Sequence, residues 1–168
     1  YPPIGHAGSG PSGVTRLTGL SVPQSMRNSF LLTDYRGAAT KCQSLVIKLR
    51  PDGSSFKVFN VDPLVEGLAA SDVELGYDGN LYFADYGGGW SVNRNGTVQV
   101  LRPTDENART NGAETARMFK KGFSHRSVAE LESLLDSADQ RVRQEAQFAL
   151  VEKGEKALPT LIGLIEEQ

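Results

Sequence analysis

One cysteine in 168 residues, Cys42, removes an internal disulfide, a paired-thiol redox centre, a zinc site built on several cysteines and covalent attachment of c-type haem within the chain. Charge of either sign is not in excess either. Against 20 Asp+Glu stand 18 Lys+Arg, a net charge of −2, which gives nothing with which to hold a phosphate backbone or an anionic bilayer. Nucleic acid and membrane-surface partners are therefore not expected. No apolar run approaches the roughly 20 residues that cross a bilayer, so no transmembrane segment is expected. The opening Tyr1-Pro2-Pro3 has neither a Met nor the charged-then-apolar order of a signal peptide, and predicts a piece of a longer polypeptide. What is present, 39% hydrophobic and 23% charged residues, suffices for one or two small cores.

Composition changes near Pro103. At or before it lie 14 of the 18 Gly, 7 of the 8 Pro and 10 of the 13 aromatic residues, while the remainder is charged and rich in Ala, Leu and Glu. A β-rich part followed by a helical one is predicted. Runs such as Val14-Thr15-Arg16-Leu17, Phe30-Leu31-Leu32-Thr33, Ser44-Leu45-Val46-Ile47-Lys48-Leu49 and Phe56-Lys57-Val58-Phe59 read as antiparallel strands. Asp72-Val73-Glu74-Leu75, Leu81-Tyr82-Phe83-Ala84 and Thr97-Val98-Gln99-Val100-Leu101 continue the set, with hairpin signals at Asp78-Gly79 and Asn95-Gly96. The hairpin accounts for Asn95-Gly96-Thr97 better than the glycosylation sequon it also matches.

An internal repeat organises the first part. Phe30-Leu31-Leu32-Thr33-Asp34-Tyr35-Arg36-Gly37 returns as Leu81-Tyr82-Phe83-Ala84-Asp85-Tyr86-Gly87-Gly88, and Leu49-Arg50-Pro51 as Leu101-Arg102-Pro103. Two units of about 50 residues suit four-stranded propeller blades. Two blades cannot close a ring, so further blades are expected upstream of Tyr1.

The second part reads as helices. Ser127-Val128-Ala129-Glu130 has the form of a capping box, with Leu131, Leu134 and Leu135 following at helical spacing. After a turn at Asp136 to Asp139, Val142, Ala146, Ala149 and Leu150 share one face of a helix that Gly154 would end. A third apolar stripe begins at Ala157-Leu158, where Pro159 is tolerable only in the first turn. Amphipathic pairs of this kind stack into solenoids, and this one is expected to be cut off at Gln168.

The segments Gly5-His6-Ala7-Gly8-Ser9-Gly10-Pro11-Ser12-Gly13-Val14, Arg27-Asn28-Ser29-Phe30-Leu31-Leu32-Thr33-Asp34-Tyr35-Arg36-Gly37 and Asp72-Val73-Glu74-Leu75-Gly76-Tyr77-Asp78-Gly79-Asn80-Leu81-Tyr82 resemble the closing blades of glucose/sorbosone dehydrogenase-type propellers. The stretch from Lys121 through Leu150, with Asp139-Gln140-Arg141-Val142-Arg143-Gln144-Glu145-Ala146-Gln147-Phe148-Ala149-Leu150, resembles the propeller-to-HEAT junction of the planctomycete-type branch, labelled membrane-bound dehydrogenase or haem-binding domain proteins. The resemblance implies a fold class of β then α: the last blades of a β-propeller in residues 1–103, a linker in 104–120 and the start of a HEAT-repeat array in 121–168. It also implies a parent protein that is periplasmic or otherwise exported. That parent would be an oxidoreductase acting on a sugar or alcohol with pyrroloquinoline quinone and calcium, passing electrons to haem c outside this chain. The catalytic His of that family would precede Tyr1, so no catalytic residue and no metal ligand is assigned here, and this chain alone is predicted inactive. Arg36 matches a cationic contact to an acidic quinone oxygen. Two further arginines of the family fall near Ala69 and Ser71, where neither residue is cationic.

The rival reading is a non-catalytic scaffold that binds carbohydrate through the propeller mouth, or a protein partner through the HEAT helices. His6, with Arg36 a candidate cofactor contact, is either a channel-mouth group that titrates near neutrality or a loop residue that bonds backbone. Asp34 and Asp85, at equivalent repeat positions, either hold a cation or sugar hydroxyl or fix turns by accepting N–H bonds. Arg36 breaks the repeat opposite Gly87, which makes it a better candidate for ligand contact than a residue that conforms to the repeat. Trp90, Tyr35 and Tyr86 either stack on a sugar face, with Gly87-Gly88-Gly89 permitting close approach, or pack against one another. Arg141 and Arg143 are expected to pair with Asp139 and Glu145.

Overall fold

Alternating apolar residues between turn signals give seven strands in two antiparallel sheets, seen in a computed structural model that describes residues 3–91 and 95–166. Tyr1, Pro2 and Gln168, where interruptions were expected, lie outside the described residues. The first sheet has the order β1 (Pro11–Leu17), β2 (Ser29–Asp34), β3 (Gln43–Asp52) and β4 (Ser55–Glu66). The second runs β5 (Ala70–Leu75), β6 (Leu81–Asp85) and β7 (Thr97–Leu101). Inward residues at period two, Leu17, Leu31, Val46, Val73, Leu75 and Phe83, meet in one shared core. Fully burying side chains of this size stabilises by roughly 1.5–3 kcal/mol each. The first strands of the two sheets lie against each other. Ser12 Oγ reaches the Ala70 carbonyl at 3.4 Å, Thr15 Oγ1 donates to Glu74 Oε1 at 3.2 Å, and Gly13 is pressed against Asp72 where no side chain would fit.

The expected fold class is corrected by these sheets. Among the described residues there is no closed propeller, and the two units are unequal, with four strands and then three. The repeated Leu-Arg-Pro shows why. After Leu49-Arg50-Pro51, Asp52-Gly53 turns the chain into β4, pairing Pro51 with Phe56 and Asp52 with Ser55. After Leu101-Arg102-Pro103, the side chain of Asp105 accepts the Ala108 N–H at 2.7 Å and starts a helix instead of a fourth strand. That helix, α1 (Glu106–Lys121), occupies the stretch expected to be a linker. The turn expected at Asn95-Gly96 is not a two-residue hairpin either, since β6 ends at Asp85 and β7 begins at Thr97.

The helical part departs from a HEAT array as well. After α1 come α2 (Val128–Leu134), α3 (Gln140–Lys153) and α4 (Leu158–Glu166). The capping box at Ser127 and Glu130 forms, and Gly154 caps α3 with φ 59°. No helix pair recurs among the described residues. Leu131, Val142, Ala146, Leu150 and Ala157 close on one another, joined by Met118 and Phe119 from the end of α1 and by Phe123 just beyond it.

The two parts are joined by specific contacts. Tyr77, on the β5–β6 turn, stacks on Phe119 with ring centroids 3.8 Å apart. Arg141, paired with Asp139 at 2.8 Å as expected, also donates to the carbonyls of Leu75 at 2.7 Å and Gly76 at 3.1 Å. Arg143 instead donates to the Ser137 carbonyl. Gly112 of α1 lies so close to the Asp78 carbonyl that a Cβ there would collide with it. No helix among the described residues is long and apolar enough to cross a membrane.

Candidate functional site

The repeat puts two Asp-Tyr loops at the same end of adjacent sheets, because Asp34 closes β2 and Asp85 closes β6. Their chemistry differs. Asp34 is fully buried and accepts from the Ser9 N–H at 2.8 Å, the Gly10 N–H at 2.6 Å, Arg36 Nε at 2.8 Å and Nη2 at 2.5 Å, and Gln43 Nε2 at 3.1 Å. Burial works to raise its pKa, but the Arg36 guanidinium, the Gly10 N–H, the Gln43 amide and the Ser9 N–H outweigh it and hold the carboxyl at about 2. Asp34 therefore fixes the loops before β1 and after β2. Arg36, the candidate quinone contact, spends both Nε and Nη2 on this carboxylate.

Asp85 is half-buried and accepts the Gly87 N–H at 2.9 Å, an Asx-type turn. Beyond it Gly87, Gly88 and Gly89 take φ of 81°, 93° and 87°, a left-handed run that side chains would oppose. This run returns the chain toward the first repeat, where the Gly89 N–H bonds the Gly37 carbonyl at 2.5 Å. Trp90 is thereby laid beside Tyr35, centroids 5.1 Å apart at 86°, and against Gly37, where a Cβ would strike the indole. Tyr86 meets Tyr35 edge-on at 6.0 Å. The Tyr35 hydroxyl donates to the Gly89 carbonyl and the Tyr86 hydroxyl to the Ser91 carbonyl at 2.6 Å, so the rings are fixed by their polar tips. Burial, then Cys42, Tyr86 and Asp85, push the Tyr35 phenol above its ordinary pKa and keep it a donor. Tyr35, Ser71, Tyr86, Gly89 and Trp90 line an open recess of about 240 Å³, with Trp90 79% exposed at its edge.

Of the predicted site residues, the structure brings Trp90 together with the tyrosines and places Asp85 at the base of the loop that carries them. It ties Arg36 to Asp34. His6 lies exposed ahead of β1 with no hydrogen bond or ion pair among the described residues. Gln43 is not named by the sequence reading, and Ser71 enters it only as a position where a family arginine is missing. The antiparallel register Asp34 to Gln43 is the signal that would have found Gln43.

The residues present do not fit the quinone and calcium of the resemblance. Arg36 is engaged, Ala69 is buried without charge, and Ser71 donates to the Ala84 carbonyl at 3.1 Å. Among the described residues no group of three or more His, Cys, Asp or Glu is placed to hold a metal ion. The chemistry that Tyr35, Tyr86 and Trp90 offer in the aromatic recess is stacking, and among the described residues that line it there is no His, Cys, Asp or Glu. No family model matches the chain, and neither a curated protein nor a solved structure matches it.

Proposed function

We propose that this chain is a non-catalytic recognition module for carbohydrate, with Trp90 as the stacking platform. One observation carries the reading: loops from both repeats converge so that an indole is held by Tyr35 and Gly37 yet presented to solvent. An exposed, fixed aromatic face costs little ordering on binding and pairs with the apolar face of a pyranose. Tyr86 and Ser71 flank the recess, and Asp85 anchors the glycine loop. This reading stands ahead of a sugar or alcohol oxidoreductase because the cation that the enzyme reading requires, Arg36, is already satisfied by a buried carboxylate.

The test uses Trp90 as its own reporter, since it is the sole tryptophan. Cellotetraose titrated into the full chain is expected to give a saturable change in indole emission, and Trp90→Ala to abolish the corresponding calorimetric heat with the fold retained. Absence of any saturable response to cellotetraose, maltotetraose and chitotetraose at about 10 mM overturns the proposal, because even that weak a midpoint lies within calorimetric reach.

A further inference from the structure

A second recess opens at the opposite end of the sheets, where β1, β5 and β7 finish and β6 begins. Its inner wall is the shared core itself, with Leu17 and Leu75 buried and Met26 and Leu64 half-buried. Leu101, 39% exposed, and Arg102 stand in the outer wall. The space is about 190 Å³, somewhat larger than the ~150 Å³ apolar cavity that takes up one benzene. Among the described residues the wall contains no Asp or Glu, and Arg102 forms no hydrogen bond or ion pair. An apolar cavity with a single cation in its wall and no carboxylate of its own is complementary to a molecule with a short hydrocarbon body and one anionic end.

We infer that this recess binds a medium-chain aliphatic carboxylate of about six to eight carbons. The hydrocarbon lies between Leu17, Met26, Leu64 and Leu75, and the carboxylate meets the Arg102 guanidinium. Guanidinium suits this task because its planar fork donates to both carboxylate oxygens and is weakly hydrated. The site is independent of the aromatic recess, which lies at the other end of β6.

The chain's two methionines locate the ligand, since Met26 lines the recess while Met118 packs in the helical core. Octanoate titrated into the full chain with methyl-labelled methionine is expected to shift the Met26 resonance saturably and leave Met118 in place. Affinity should rise about fourfold per methylene from hexanoate to octanoate. Arg102→Gln, an exposed change, should weaken octanoate about tenfold and leave 1-octanol, itself the weaker ligand, unaffected. Leu101→Trp, at the rim, should block both. A Met26 methyl that does not move overturns the site. Octanol binding as tightly as octanoate, or octanoate indifferent to Arg102→Gln, overturns the carboxylate assignment.

Discussion

Asp34 and Asp85 occupy the same place in two copies of one segment, at the end of the central partner strand, and do opposite things. Asp34 is sealed in with five donors, whereas Asp85 makes one turn bond and remains half-buried. The residue two positions on decides the difference. Arg36 doubles back onto Asp34, while Gly87 frees its loop to swing across and deliver Trp90. The two copies share their strands, and their loops differ as a lock in one and a platform in the other.

The comparison breaks most sharply at Asp34→Ala. That change strands the Ser9 and Gly10 N–H groups, although Arg36, 37% exposed, can turn to water, so the loss should stay near the low end for a broken buried pair, about 3 kcal/mol. A urea-unfolding midpoint unchanged from wild type would show that the lock is not structural. Next is acid. Because the folded carboxyl of Asp34 lies at about 2, below its ordinary 3.8, its stabilisation is complete above roughly pH 4 and disappears as pH falls toward 2. That contribution is of order 2 kcal/mol, and Asp34→Asn should flatten the pH dependence of the urea midpoint across this window. The smallest effect is expected at Asp85→Asn. The amide oxygen can still accept the Gly87 N–H, so stability should change by no more than about 0.5 kcal/mol, measured by the same unfolding curves. A loss as large as that of Asp34→Ala would erase the distinction.

Each predicted strand run falls inside an observed strand, because period-two burial is a local signal: Val73, Leu75, Leu81 and Phe83 announce their sheet without help from distant residues. The capping box and the Gly154 stop were legible for the same reason. Architecture was not. Whether Leu-Arg-Pro leads to a strand or a helix depends on the residues just past it, an Asp-Gly turn in one copy and an N-capping Asp105 in the other. Repeated sequence does not require repeated sheets, so α1 is hidden behind the second Leu-Arg-Pro. At the site, Trp90 and the tyrosines are legible as stacking candidates, but the capture of Arg36 by Asp34 is not. An arginine that departs from the repeat looks like a ligand contact until burial of its neighbour is known.

Gly112 has a consequence for how the molecule comes apart. A helix that meets the Asp78 carbonyl backbone to backbone, next to a Tyr77–Phe119 stack and an Arg141 bridge to β5, leaves no slack between strands and helices. Heating should therefore produce one calorimetric peak for the whole chain, and Gly112→Ala, by wedging a methyl into that seam, should split it into two.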